Sequence, residues 1–245
     1  MSFNPDFYDE AWHRWDDMKV YGSTARHTRR FIFSLIKGLS FNSVLDAGCG
    51  TGVLLQQILV EYPQVHLTGS EYSPQGLDFA KKRLPNADFH VLDLSRETLE
   101  KKFDLVTCID VLEHIPDDRA ALKNLLTMTA GFFVLSLPLG PLFKAEVDRM
   151  GHVHGYSRAE LEGKIREAGF EIIKVIQWGF PFYNLHRRIA NRMPAETSSG
   201  AFSARKKLVS NLLYALFYLN LPFGGERYYV LCRPLKDRAR DVIKG

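Results

Sequence analysis

Cysteine is scarce in this chain: Cys49, Cys108 and Cys232 are the only three in 245 residues. They are odd in number, widely spaced and include no C-x-x-C pair. That argues against a disulfide framework and against a cysteine zinc site, and fits a reducing cytoplasm. Long apolar runs are missing too. The longest, Leu212 to Leu221, is broken by Asn220 and falls short of the roughly 20 residues a membrane span needs. The opening MSFNPDFYDEAWHRWDD is polar and acidic, which excludes a signal peptide there. There is no internal repeat and no low-complexity tract. Charge of one sign is not in strong excess either: the formal net charge of +4 does not by itself announce nucleic acid. The imbalance is local, with Arg187, Arg188, Arg192, Arg205, Lys206 and Lys207 crowding the stretch after Pro181. The expectation is a cytoplasmic protein, at most peripheral to a membrane surface.

What is present is a rhythm. Phe31, Leu35, Ile36 and Leu39 recur at helical spacing, so residues 1–43 form a helical lead-in. Short apolar runs then alternate with helical segments. Strands are expected at 43–47, 65–69, 89–92, 103–109 and 132–137, with helices at 53–60, 73–83 and 117–128 between them. Such alternation means a doubly wound α/β domain with a mostly parallel sheet. After Pro138 the order loosens into a loop. A helix follows, opened by Ser157 with Glu160 as a capping box and closed at Gly169; then come a strand at 171–176 and a last strand at 227–233. Pro194–Gly200 reads as an exposed linker, and the KDRARDVIKG tail as frayed.

The decisive segment is Val44-Leu-Asp-Ala-Gly-Cys-Gly-Thr-Gly52. A glycine-rich turn between the first strand and its helix lets backbone approach a ligand beside a helix N-terminus. Counting from Gly48, the last glycine of a G-x-G-x-x-G dinucleotide fingerprint is replaced by Val53, and an acid, Asp46, precedes the turn. That disfavours a nicotinamide oxidoreductase. It resembles motif I of the class I S-adenosylmethionine (SAM)-dependent methyltransferases. The resemblance extends to Glu71, Tyr72, Asp93, Leu94 and the segment Phe103–His114, and HVHGYSRAELEGKIREAGFEIIKV is similar to ubiquinone-biosynthesis O-methyltransferases. It covers roughly residues 40–178 and the last strand.

The resemblance implies a Rossmann-like seven-stranded sheet whose last strand is antiparallel, SAM as cofactor and S-adenosyl-L-homocysteine as product. It implies a cofactor loop of Asp46, Gly48, Cys49, Gly50, Thr51 and Gly52, with Glu71 accepting from both ribose hydroxyls and Tyr72 against the adenine. Asp93 would take the adenine amino group, Leu94 would offer its N–H, and Ile109 and Asp110 would touch the methionine part. Plainer readings stand beside these: Glu71 as a solvated acid at a helix start, Asp93 as a turn residue. Cys49 fits by its small size, without a nucleophilic role. Trp12, Trp15, Met18 and Tyr21 are candidates for a lid, with Arg26 or Arg29 on the cofactor carboxylate, or else for a packed amphipathic helix.

Methyl transfer is in-line displacement, so alignment matters more than catalytic side chains. A hydroxyl acceptor still benefits from a base, and His114, His152 and His154 are candidates. His114 has a structural alternative at the strand end. The HVH spacing would put His152 and His154 on one face of an extended segment. No metal is expected, since this pair has no evident third ligand.

The departure from compact relatives is the long connection, roughly 50 residues, between the last two strands. It holds Trp178, Phe180, Phe182 and Tyr183, the basic stretch, and SARKKLVSNLLYALFYLN, a helix with a cationic start and a mostly apolar remainder. Such a helix can lie on a membrane or cover a greasy pocket. One domain is expected over 1–245: a lid at 1–43, a SAM-binding core at 44–178, the helical insertion at 179–226, and the last strand with its tail at 227–245. The function expected is methyl transfer to a small acceptor, an oxygen of a hydrophobic or lipid-linked molecule, with peripheral membrane contact through 201–222. An inactive binding protein of the same fold remains open. A nucleic-acid methyltransferase is a further alternative, raised by the basic insertion, although no tetrapeptide for a flipped base amine and no RNA-binding module is present.

Overall fold

The computed structural model describes residues 5–197 and 199–235. The tail expected to fray, 236–245, lies outside the described residues. Helices α1 (Pro5–Tyr21) and α2 (Ser23–Ile36) form the lead-in, and they are two helices because of Gly22. A Cβ at Gly22 would lie 2.3 Å from the Met18 carbonyl oxygen, so only glycine makes that corner.

The core then alternates as expected: β1 (Ser43–Ala47), α3 (Val53–Glu61), β2 (His66–Glu71), α4 (Pro74–Arg83), β3 (Asp88–Val91), β4 (Phe103–Ile109), α5 (Asp118–Met128) and β5 (Thr129–Pro138). Ser73 caps α4 by accepting from the Gly76 N–H at 3.0 Å, with Pro74 preset at the first helical position. The loop expected after Pro138 contains a short helix, α6 (Lys144–Met150). Then follow α7 (Arg158–Glu167), β6 (Phe170–Trp178), α8 (Phe182–Ala190), α9 (Ala204–Leu216) and β7 (Arg227–Pro234). Ser157 does cap α7, accepting from the Glu160 N–H at 3.2 Å, but the Glu160 carboxylate pairs with Lys164.

The sheet order is β3-β2-β1-β4-β5-β7-β6, parallel except for β7, which runs antiparallel to β5 and β6. Val44 and Leu45 are both fully buried and enter opposite hydrophobic clusters, because successive strand residues face opposite sides. Helices on both faces therefore bury most of the central strands. The order reverses between β1 and β4, so their carboxyl ends open the crevice where doubly wound sheets bind ligands. All three cysteines are buried and free. No helix among the described residues is long and apolar enough to cross a membrane.

The insertion is not the single helix expected from sequence. It holds α8, a 3-10 turn at Ala195–Thr197, α9 and a second 3-10 turn at Phe217–Leu219. It is fastened to the lead-in: Ser210 donates to the Tyr21 carbonyl at 2.7 Å, and Arg26 donates to Asn211 at 2.7 Å. The linker-like stretch is tied down as well, with the Gly200 N–H donating to the Arg14 carbonyl at 2.7 Å.

Candidate functional site

The glycine turn sits at the carboxyl end of β1. Gly48, Gly50 and Gly52 all have positive φ (79°, 52° and 77°), which side chains disfavour. The N–H groups of Gly48 and Cys49 donate to the Ser70 carbonyl at 2.7 and 2.9 Å, which ties the turn to β2. Thr51 is buried and accepts from Arg83. A Cβ on Gly52 would touch Ala80 at 3.2 Å, so this glycine lets α3 pack close to α4.

Three acids ring the crevice: Asp46 and Glu71 are buried and Asp110 is partly exposed. Asp46 accepts from the Thr107 hydroxyl at 2.6 Å, and burial pushes its carboxyl up to about 7. Glu71 accepts from three backbone N–H groups: Gly50 at 2.9 Å, Tyr72 at 2.9 Å and Ser73 at 3.1 Å. Burial raises its pKa while those bonds pull the other way. A carboxylate has about four acceptor sites, so in this closed arrangement Glu71 keeps room for one more donor rather than the two expected from the ribose. Asp110, at the end of β4, has φ +56° and an ion pair with Arg227 at 2.6 Å. Burial alone would raise its pKa; the Arg227 guanidinium outweighs that and holds it low.

The lead-in closes over this crevice. A Cβ at Gly50 would land 2.3 Å from the Trp12 ring, and one at Gly76 would land 2.8 Å from the Trp12 indole nitrogen. That buried N–H has no hydrogen-bond partner among the described residues. Beneath α1 remains a cavity of about 70 Å³ lined by Lys19, Arg29, Asp46, Cys49, Ile109 and Asp110, among others. Small-molecule sites run from roughly 300 Å³ upward, so a ligand the size of SAM requires α1 to lift. The fit is otherwise favourable: a side-chain-free turn, a buried carboxylate at its rim, and an orphaned donor above it. Of the two arginines proposed for the cofactor carboxylate, Arg29 lines the cavity, held by the Lys19 and Val20 carbonyls. Arg26 points to α9 and stacks over Tyr214 at 3.7 Å.

Towards the adenine end, Tyr72 is half-buried, with Tyr8 of α1 at 6.3 Å between ring centroids. Asp93 behaves as the turn residue of the plainer reading: one carboxylate oxygen accepts from the Ser95 N–H at 3.0 Å and hydroxyl at 2.6 Å. Leu94 is buried in the core, and its carbonyl accepts from Asn124 at 2.9 Å.

The histidines divide differently from expectation. His152 and His154 do not share a face. The His154 Nε2 lies 2.9 Å from the Ile115 carbonyl and 3.2 Å from that of Pro116, so it ties loop to loop. Tyr156 beside it is fully buried and donates to Asp118 at 2.8 Å. His152 instead meets His114, with ring centroids 4.7 Å apart and planes at 89°. Burial holds His114 down to about 3 and His152 down to about 4. Both are therefore neutral at neutral pH and far from the value near operating pH that suits a general base. A different trio comes together instead: Glu113, buried on the 3-10 turn after β4, joins His114 and His152 with donor atoms all within 4.8 Å.

A methyltransferase-domain family model matches residues 24–175. The chain belongs to this methyltransferase family. Among curated proteins, it is 30% identical over 128 residues to the ubiquinone biosynthesis O-methyltransferase of Nitrosomonas europaea, covering 48% of this chain and 53% of that protein. The chain thus spans about half the length of the curated relatives it matches. Among solved structures, the methyltransferase bound to the Haloferax volcanii Trm112 activator superposes with a TM-score of 0.65 at 17% identity, covering 96% of this chain and 99% of that one. An O-methyltransferase of a Brevibacillus brevis trans-AT PKS multienzyme, solved with S-adenosyl-L-homocysteine, superposes at 0.61 and 17%, covering 87% and 74%. These two likenesses concern the fold. The cofactor of this methyltransferase domain is SAM.

Sequence reading missed two buried arginines of the methyltransferase. Arg227, 4% exposed, bonds Asp110 and the hydroxyls of Thr28 and Ser136 at 3.1 and 3.0 Å, joining β7, α2 and β5 around the crevice. Its only sequence signal is a cation opening an otherwise apolar strand. Arg187, counted with the basic stretch, is buried and forks onto Glu146 at 2.7 and 2.8 Å, which pins α8 to α6. Such an arginine reads as surface until its partner, far away in sequence, is located.

Proposed function

We propose that this methyltransferase domain methylates an oxygen of a small hydrophobic or lipid-linked acceptor taken from a membrane surface against which residues 201–222 rest. The observation that supports this is the outer face of α9 and the turn after it. Leu208, Leu212 and Leu219 are 59%, 63% and 64% exposed, and Phe223, just beyond, 60%. Single exposed apolar residues are ordinary, whereas a continuous stripe marks a binding surface. The O-methyltransferase names of the relatives agree with oxygen as the acceptor atom. The cationic flank contributes less than its sequence suggests. Lys206 donates to the Glu196 and Ser199 carbonyls and Lys207 stacks over Tyr21 at 3.9 Å, which leaves Arg205 exposed. Apolar area carries the contact more than charge does.

SAM supplies a sulfonium methyl group open to in-line displacement. The part of the chain is to bind, orient and exclude water. Asp46, Gly48, Cys49, Gly50, Thr51 and Gly52 would form the bed of the cofactor site, and Ile109 and Asp110 would hold its methionine end. Glu71 would take the ribose and Tyr72 would lie against the adenine; Asp93 could accept the adenine amino group only with the carboxylate oxygen that Ser95 leaves free, beside the Leu94 N–H. Trp12 and Tyr8 cover the site and would have to move aside with α1 to admit the cofactor.

Flotation with neutral and anionic vesicles tests the membrane part. Removing 201–222 would also remove Phe217, which is fully buried in the core, so Leu212→Glu/Leu219→Glu is the sharper variant. Wild-type protein floating and the double variant staying down is the expected result. Wild-type protein staying down with both vesicle types overturns it. Calorimetric titration with S-adenosylhomocysteine beside NADH, repeated on Asp46→Ala, tests the cofactor half.

A further inference from the structure

Arg26, Arg29 and Arg30 stand three and four residues apart on α2, so their side chains are neighbours, and like charges at that spacing work against a helix. They also line one pocket of about 510 Å³ between α2, α3 and α9. Crowding three cations around a cavity is unfavourable unless something there neutralises them.

The protein itself does not. Among the described residues three arginines are buried, and two of them, Arg187 and Arg227, meet a carboxylate at 2.7 and 2.6 Å. Arg29, 8% exposed, meets only the Lys19 and Val20 carbonyls at the end of α1, which carry partial charge, and its Nε–H has no partner. Arg30 likewise has a buried Nε–H without a partner, and its guanidinium lies over the Phe31 and Tyr218 rings at 4.4 Å each. Arg26 donates to Asn211, a neutral amide, and stacks on Tyr214. Aromatic stacking occupies the face of a guanidinium and leaves in-plane N–H groups to donate. No carboxylate among the described residues lies within ion-pair distance of any of the three. Glu61 is exposed on the pocket wall, so the lining sets three cations against one acid. The crowding is felt: burial and the neighbouring Arg26 hold the Arg29 pKa down to about 10.

We propose that this pocket binds the phosphate group of a soluble phosphomonoester, with Arg26, Arg29 and Arg30 as its anion-binding residues.

A phosphate monoester is close to a dianion at neutral pH, which matches the surplus of two positive charges, and its oxygens suit the guanidinium fork. The pocket falls within the roughly 300–1,000 Å³ of small-molecule sites, which is more than a phosphate group fills. The surplus space, beside Val20, Phe33 and Tyr214, suits an apolar or aromatic body. The position favours a soluble ligand over a lipid headgroup. Tyr214 lies two residues beyond Leu212, about 200° further round α9. The pocket wall and the exposed apolar stripe are therefore on opposite sides of that helix, and a bilayer under Leu208 and Leu212 does not reach the pocket. The site does not rest on the methyl-transfer reading. Arg29 also lines the cofactor cavity, so Arg26 and Arg30 are the cleaner positions to alter.

The test titrates the full chain with phenyl phosphate by calorimetry at constant ionic strength, because diffuse attraction is screened by salt and a built site much less. The expected result is one equivalent bound with a Kd below about 1 mM, and no binding of phenol. Arg30→Gln and Arg26→Gln should each weaken it at least about tenfold, and Arg233→Gln, in an exposed pair with Glu171, should leave it unchanged. In wild-type protein the Nε–H resonances of at least two arginines should shift on saturation, a readout that requires no variant to fold. Vesicles containing phosphatidic acid present the same phosphate monoester on a lipid. Association with those vesicles without binding of phenyl phosphate overturns the soluble assignment. No saturable binding of phenyl phosphate, no shifted arginine resonance, or equal affinity in Arg30→Gln overturns the site itself.

Discussion

Glu71 and Glu113 are both buried glutamates just past the carboxyl end of a central strand, and they are treated in opposite ways. Glu71 sits where three backbone N–H groups converge, because the glycine turn and the start of α4 both offer unpaired donors. Glu113 lies on a 3-10 turn whose carbonyl is used and whose carboxyl meets no donor of another residue. The first is a finished electrostatic arrangement. The second is tolerated as a neutral acid, because burial and the nearby Asp110 charge push its pKa up to about 8. Between them stands Asp110, whose charge is matched by the buried guanidinium of Arg227.

The largest effect should come from breaking that middle pair. Arg227→Met leaves the partly exposed Asp110 charge without its partner; losing one half of a fully buried ion pair costs about 3–5 kcal/mol, so about 3 kcal/mol is expected here, alongside the lost bonds to Thr28 and Ser136. Urea unfolding should show this as a lower midpoint, and Asp110→Asn in the same chain should recover much of it. A midpoint within error of wild type would mean that the pair is not formed.

Next comes Glu71→Ala, which strands the three N–H donors and removes the acid at the rim of the turn. We expect S-adenosylhomocysteine affinity to fall about 100-fold, or about 2.7 kcal/mol, with Glu71→Gln losing less. Glu113→Leu should go the other way. Removing an unsatisfied buried acid should raise stability by about 1–2 kcal/mol, read as a higher melting temperature.

Glu71 was legible in the sequence because its job is local: an acid at a strand end, a fixed distance after a glycine turn, is a spacing. Asp46 and the turn itself were legible for the same reason, and so was the alternation that builds the sheet. Glu113 was not, because its partners arrive from the His152 loop across a long stretch of chain, and HVH by itself suggested that His152 and His154 work together. Trp12 could be read as part of a lid, but its landing on Gly50 depends on how α1 docks on α4, which no spacing encodes. Helix α8 was hidden by Gly179 and Pro181, which punctuate like a loop, and Arg187 by looking like a surface cation. Local chemistry is written in spacing. Partnerships across the fold are not.

The last effect is a slope with pH rather than a single loss, and it concerns Asp46, which belongs with Glu71 by position and with Glu113 by its burial. Burial raises its folded pKa to about 7, against an ordinary value of about 3.9 in the unfolded chain. The unfolded state therefore gives up its proton first as pH rises. Between about pH 4 and 7 the folded state binds more protons, so its stability must fall across that window. Its share of that loss is on the order of 2–4 kcal/mol at most, and less if water enters as α1 lifts. Glu71, raised in the same direction, adds to the slope. Urea midpoints measured from pH 5 to pH 8 should decline in wild-type protein and decline less in Asp46→Asn, which keeps a bond to Thr107 without a charge to desolvate. A slope identical in the two proteins would assign the whole decline to other groups and leave Asp46 ionised at neutral pH, solvated better than the closed crevice allows.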